Sequence, residues 1–264
     1  PLLLYIKTYI MNIKRLFFAG AFALFVSQIS AQTNVIAHRG FWQTDGSAQN
    51  SIAALVKADS INCYGSEFDV WLTKDNKLIV NHDASFMGQR MEDSNYEQLQ
   101  KLRLKNGETM PGLSDYLTEA SKLKTKLILE LKEQSSAERE SEAVKRIVAM
   151  VHDMKLEDRM EYISFSKHAV KEFIKLAPQN TPVYYLKGDL TPAQLKEIGA
   201  SGADYHLSVF QKNPQLITEC HQLGLKVNVW TVNKTEDFQW CITNQVDFIT
   251  TNEPVNLQNV LKNK

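Results

Sequence analysis

Short apolar runs alternate with helical stretches from Asn34 to the end of the chain, and this alternation leaves few folds open. Strands are predicted at Val35–Ala37, Gly65–Leu72, Lys126–Lys132, Glu161–Phe165, Val183–Leu186, Ala203–Val209, Lys226–Val232 and Asp247–Thr250. Helices are predicted between and after them, at Ser51–Ser60, Leu113–Lys122, Ala137–Met154, Lys167–Leu176, Pro192–Ile198, Pro214–Leu223, Glu236–Thr243 and Val255–Leu261. Pro192 and Pro214 suit a first helical turn, where a missing N–H costs nothing. Such strand–helix pairs, eight in all, predict an α/β chain folded as a (β/α)8 TIM barrel. A doubly wound open sheet uses the same units, and periodicity alone does not count closure. One unit is too long: a short strand at Leu78–Val80 and a helix at Tyr96–Leu102 read as a small insertion after the second strand, about residues 73–112. In a barrel that insertion stands at the mouth, where long loops carry function.

The chain of 264 residues holds a barrel domain over 32–264, preceded by upstream and leader residues 1–31. Met11 is expected to be the initiator, with residues 1–10 upstream of it. Lys14 and Arg15, the apolar Leu16–Val26 and the small, polar Ser27–Ala31 read as a secretory signal cleaved after Ala31. The apolar part falls well short of the roughly 20 residues a span needs. An exported protein, periplasmic or secreted, without a stable membrane span after cleavage is therefore expected, and no cysteine at the cleavage point invites a lipid anchor. The 30 basic and 30 acidic residues cancel, so no nucleic-acid footprint exists and an anionic ligand must be held locally. Cys63, Cys220 and Cys241 leave room for one disulfide in an exported protein but not for a disulfide framework, and buried thiols are expected. Oligomeric state is not legible.

Strand faces locate the chemistry. In Glu67–Leu72, Phe68, Val70 and Leu72 should face the outer helices, so Glu67, Asp69 and Trp71 should point into the barrel. In Leu127–Lys132 the leucines take one face, and Ile128, Glu130 and Lys132 take the other. Three carboxylates thus converge on one rim, near His38 and His82 that bracket the first pair in sequence. Like charges so placed repel and are costly to desolvate, a problem a divalent cation resolves. A structural ion pair of Glu130 with Lys132 is the competing reading. Paired imidazoles with paired carboxylates supply proton-transfer groups and metal ligands for cleaving a phosphate ester.

These residues resemble the glycerophosphodiester phosphodiesterase family across nearly the whole chain after the leader. The resemblance rests on His38-Arg39-Gly40, Asn50-Ser51, Glu67-x-Asp69, His82-Asp83, Glu130-Leu131-Lys132, Val229-Trp230-Thr231-Val232-Asn233 and Asp247-x-Ile249-Thr250-Thr251-Asn252-x-Pro254. It implies one divalent cation, Ca2+ or Mg2+, held by Glu67, Asp69 and Glu130, with His38 and His82 as the acid/base pair. It further implies that Arg39 and Lys132 neutralise the phosphate of a small phosphodiester and that Trp230 lines the pocket. The family usually carries Pro-Glu-Asn-Thr where this chain reads Ala48-Gln49-Asn50-Ser51, so a neutral amide replaces a charge beside Arg39.

The expected reaction is hydrolysis of a glycerophosphodiester to an alcohol and glycerol 3-phosphate, with His38 as base and His82 as acid. Two alternatives are phospholipase D-like hydrolysis of lysolipids and a non-catalytic barrel that binds a phospho-ligand. Among weaker candidates, His206 reads as a hydrogen-bonded structural residue and Trp42 as a rim contact or an exposed aromatic. Asp83 should orient His82 or cap its turn, and Asn252 should close the last loop. His152, His168 and His221 lie on helices and read as surface residues.

Overall fold

The computed structural model describes residues 32–263, and the leader expected over 1–31 lies outside them. Eight parallel strands close into a barrel: β1 (Asn34–Ala37), β2 (Gly65–Leu72), β6 (Lys126–Leu131), β7 (Met160–Ser164), β8 (Val183–Tyr185), β9 (Gly202–His206), β10 (Lys226–Trp230) and β11 (Phe248–Thr251). Each pairs with its neighbour in chain order, and β1 closes the ring against both β11 and β2. Closure excludes the doubly wound sheet. The insertion carries β3 (Leu78–Val80), which runs antiparallel to β2, and a hairpin of β4 (Ser85–Phe86) and β5 (Gln89–Arg90).

Local sequence sets the helix starts. Ser51, Ser136 and Ser166 each accept a hydrogen bond from the backbone N–H three residues on, at 3.0, 3.3 and 3.2 Å. Thr191 and Gln194 form a reciprocal capping box with Pro192 in the first turn. The strand alternation predicted for β2 and β6 then sorts side chains between two cores. Phe68, Val70, Leu72, Leu127, Leu129 and Leu131 belong to the shell between barrel and helices. Ile36, Ile128, Ile163, Tyr184, Leu186 and Phe248 fill the lumen. In the shell, Tyr162 stacks on Phe173 with ring centroids 4.2 Å apart. Full burial of each such ring contributes roughly 1.5–3 kcal/mol. Cys63, Cys220 and Cys241 are buried and free.

Three expectations are corrected. Trp71 does not enter the barrel. It lies past the rim and packs with Ile79, Met91, Leu99, Leu104 and Met110, because the insertion continues the inner face of β2 upward into its own small core. The strand expected over Ala203–Val209 ends at His206, where the histidine side chain accepts from the Ser208 N–H and caps a helix over Leu207–Lys212. The insertion's helix is a single turn, Tyr96–Leu99.

The turn after β1 brings strand and helix into close contact. Gly40 has φ +76°, and a Cβ there would lie 2.6 Å from the Ala54 Cβ. Gly40→Ala therefore combines a left-handed backbone with a clash against a helix, costing about 2–3 kcal/mol. Thermal unfolding should show the midpoint lowered by roughly 5–10 °C in a domain of this size.

Candidate active site at the barrel mouth

Glu67 and Asp69 of β2 and Glu130 of β6 stand on inward positions of adjacent strands, in register at Asp69↔Glu130. All three are buried, and one carboxylate oxygen from each lies within 4.8 Å of the others. Repulsion among them is visible in their proton affinities. Burial, then Asp69 and Glu130, push the Glu67 carboxyl well above the ordinary range. Burial and then Asp69 push Glu130 up to about 7. Burial also opposes ionisation of Asp69, but Lys132, His82, Arg39 and the Asn50 amide outweigh it and hold Asp69 below the usual value.

Two cations and one amide hold this cluster together. The Lys132 Nζ pairs with Glu130 at 2.7 Å and with Asp69 at 3.3 Å, so the competing ion pair does exist, within the cluster rather than instead of it. Its ammonium stays charged because burial is overcome by Asp69 and Glu130. The Arg39 backbone N–H, in a residue at φ +58°, donates to Glu67 Oε2 at 2.7 Å, and its guanidinium donates to Gln49 Oε1 at 2.6 Å. Asn50, also at positive φ, donates from its amide to Asp69 Oδ2 at 2.8 Å and accepts from the Asp69 N–H. Glu67 Oε1 is buried without a protein partner among the described residues. An unpartnered carboxylate oxygen inside a buried oxygen cluster of raised proton affinity fits a hard divalent cation, for which Glu67, Asp69 and Glu130 are the ligands on hand.

The histidines differ in what orients them. His38 Nδ1 lies 2.8 Å from Asn252 Oδ1, and the Trp42 indole donates to that same atom at 3.2 Å. An indole N–H only donates, so the shared atom is the amide oxygen and His38 Nδ1 must carry its proton. Nε2 is then left with a lone pair, 4.0 Å from Glu67 Oε2. Burial and then the Arg39 charge lower the His38 pKa to about 4, so the ring is neutral at pH 7. His82 instead places Nδ1 2.7 Å from the Asp83 carboxylate. Burial, with the Lys132 and Arg39 charges, outweighs the upward pull of Asp69 and Asp83 and leaves its pKa below the ordinary value. The Trp71 indole donates to the His82 carbonyl, tying this loop to the core of the insertion.

His38, Arg39, Glu67, His82, Glu130 and Lys132 line one side of a single pocket. Ile163, Phe165, Leu186 and Trp230 line the other, with Asp204 and Thr250 among its polar groups. Trp230 is half-buried, donates to the Asp204 carbonyl at 2.9 Å and meets Phe165 edge-on at 5.5 Å. Seven of the eight residues singled out from the sequence therefore line this pocket, and the eighth, Asp69, lies buried against Lys132 and Asn50. Asn252 is a correction: it does more than close the last loop, because its side chain reaches across the seam between β11 and β1 to His38. Asn50 is the second miss, a helix-opening residue whose side chain turns back to Asp69. Asn50-Ser51 is among the motifs of the resemblance, but nothing local shows that the Asn50 side chain would meet Asp69. Trp42 is a rim contact, and His206 is a cap whose ring lies 5.3 Å from Trp230. His152, His168 and His221 all lie at the surface, and His221 also holds Asp247 at 2.8 Å.

Comparison with known proteins agrees with this arrangement. Residues 38–256 match the glycerophosphoryl diester phosphodiesterase family. A glycerophosphodiester phosphodiesterase of Caldanaerobacter subterraneus subsp. tengcongensis is 28% identical over 88% of this chain and 98% of its own. A crystal structure of a glycerophosphodiester phosphodiesterase from Parabacteroides distasonis superposes with a TM-score of 0.87 at 47% identity, covering 88% of this chain and 98% of that one. An Oleispira antarctica phosphodiesterase, solved with sn-glycerol-3-phosphate, shares the fold at 21% identity with a TM-score of 0.78, over 88% of this chain and 97% of that one.

The raised proton affinity of Glu130 has a measurable sign. Its folded pKa of about 7 lies above the ordinary 4.5, so between these values the folded state binds more protons than the unfolded chain. Stability from this group is present below that window and is lost as pH rises through it. Without divalent cations, the melting temperature of the wild type relative to Glu130→Gln should fall from about pH 4.5 to about pH 7.5. At the upper end, a cation at a hundredfold its Kd should restore about 2.7 kcal/mol, roughly 5–10 °C, and do so less in the variant.

Proposed function

The chain belongs to the glycerophosphoryl diester phosphodiesterase family, and from that premise we propose that it hydrolyses small glycerophosphodiesters to an alcohol and glycerol 3-phosphate by cation-dependent acid/base catalysis at the pocket just described. The observation that carries the mechanism is the unequal support of the two histidines. An imidazole held by a neutral amide and a nearby guanidinium is suited to stay unprotonated and accept a proton at Nε2. One held by a carboxylate is suited to carry a proton and deliver it. His38 therefore takes the proton of the attacking oxygen, and His82 protonates the leaving alkoxide as its bond to phosphorus breaks.

Arg39 and Lys132 bind the non-bridging oxygens and stabilise charge that grows in the transition state. Glu67, Asp69 and Glu130 would hold Ca2+ or Mg2+, which supplies further positive charge to those oxygens when bound. Trp230, Phe165 and Leu186 give the carbon skeleton an apolar wall. Gln49 holds the Arg39 guanidinium without adding a second carboxylate to the one it already faces, Asp69 at 3.8 Å, which favours its use on the phosphate. Within the insertion, Met87 is the exposed large apolar side chain, so a broad lipid-docking rim is lacking among the described residues and a water-soluble diester is the better substrate.

Turnover of glycerophosphocholine should need a divalent cation, stop with a chelator, and fall by roughly a hundredfold or more in His38→Ala and in His82→Ala. In Asp83→Asn the alkaline limb of the pH–rate profile should move to lower pH, because His82 loses the carboxylate that raises its pKa. Full activity of His38→Ala, or turnover in excess chelator, would refute the mechanism. We also propose export, on the basic start and apolar run of residues 14–26. Edman sequencing of protein recovered from the periplasm or medium should begin at Gln32, and retention of the full chain in the cytosol would count against it.

A further inference from the structure

Asp204 is a buried acid that the mechanism above does not use. It occupies an inward position of β9, since its neighbours Ala203 and Tyr205 belong to the outer shell. It is 1% exposed, lines the pocket, and its Oδ1 has no hydrogen-bond partner among the described residues. On β10 the Asn228 amide exchanges hydrogen bonds with the Thr250 hydroxyl at 2.9 and 3.2 Å and also faces the Asp204 carboxyl, whose Oδ1 it leaves unpaired. An unpaired buried polar atom costs about 1–3 kcal/mol. Such an atom, beside Thr250 in a pocket wall built chiefly of Ile163, Phe165, Leu186 and Trp230, is shaped for a ligand that is mostly carbon but carries a hydroxyl.

We propose that Asp204 is a specificity-determining residue, which hydrogen-bonds the terminal glyceryl hydroxyl, the one farther from the phosphorus. The assignment rests on the phosphodiesterase reading of the same pocket and extends it to the substrate class. Charged groups on one side hold the phosphate, the apolar wall covers the glyceryl C–H groups, and Asp204 reads the remaining hydroxyl. Burial, followed by the Glu130 and Glu161 charges, raises its pKa well above the usual value, against the pull of Asn228. A neutral acid donates as well as accepts, so a hydroxyl meets it in either sense.

The test compares glycerophosphocholine with the phosphocholine diester of propane-1,2-diol, which keeps a vicinal hydroxyl but lacks the terminal one. Wild type should favour the glyceryl diester in kcat/KM by roughly tenfold to a hundredfold, the cost of leaving one buried polar atom unpaired. In Asp204→Ala the preference should collapse to within about threefold, chiefly through loss of glycerophosphocholine turnover. Should that variant not fold, Asp204→Val, which fills the site without a hydrogen-bonding atom, carries the comparison. Equal kcat/KM for the two diesters in the wild type would overturn the assignment while leaving the activity intact, as would an undiminished preference in a folded Asp204 variant. Turnover of neither diester would remove the activity reading, and the assignment with it.

Discussion

Repulsion between Glu67, Asp69 and Glu130 is the constraint around which the mouth of this barrel is organised. Three carboxylates whose oxygens approach within 4.8 Å of one another, each nearly cut off from water, would not stay ionised unaided. Every strongly placed cation and amide nearby answers that repulsion. Lys132 pairs with two of the acids, the Arg39 backbone grips the third, and Asn50 fixes the orientation of Asp69. Even so, Glu67 and Glu130 keep raised proton affinities. The site is left poised for one more positive charge, which is the electrostatic condition for binding a divalent cation and drawing in an anionic phosphate.

The fold makes that concentration of charge tolerable by anchoring it from below and beside. Beneath the acids, Ile36, Ile128, Ile163, Tyr184 and Phe248 fill the lumen and exclude water from the barrel interior. Beside them, the small core under the insertion clamps Trp71, whose indole steadies the backbone at His82. The rim also carries unusual backbone: Arg39 and Asn50 both sit at positive φ, and each is tied to an acid of the cluster. Packing energy from the shell of aliphatic and aromatic side chains is what holds these unfavourable local choices in place.

Much of this was legible from the chain because strand alternation is a strict period of two. Once Glu67 and Asp69 are seen on one face of β2 and Glu130 on one face of β6, their convergence follows from the barrel alone. His38, Arg39, His82, Lys132 and Trp230 could be added because they occur at strand ends or in the loops that follow them. Partners that act through the side chain of a residue distant in sequence were not legible. Asn252 lies 214 positions from the histidine it orients, and Asn50 lies 19 positions from Asp69. Trp71 shows the limit of alternation itself: the period assigned its face correctly, but not the height at which the barrel ends and the insertion begins.

The sequence by itself determined the order of strands and helices, the inward acids and the identity of the groups able to move protons. These depend on local periodicity and on side-chain chemistry, which are properties of short segments. Only the tertiary structure decided that β1 closes against β2 and β11, because closure depends on pairing between segments far apart in the chain. The same closure brings Asn252 to His38 and leaves Asp83 with His82, so two chemically identical imidazoles acquire different partners. It also seals Asp204 into the pocket wall with an oxygen to spare. Residue type is written locally, but a pKa, a tautomer and an unmet hydrogen bond arise from what surrounds the residue once the barrel has shut.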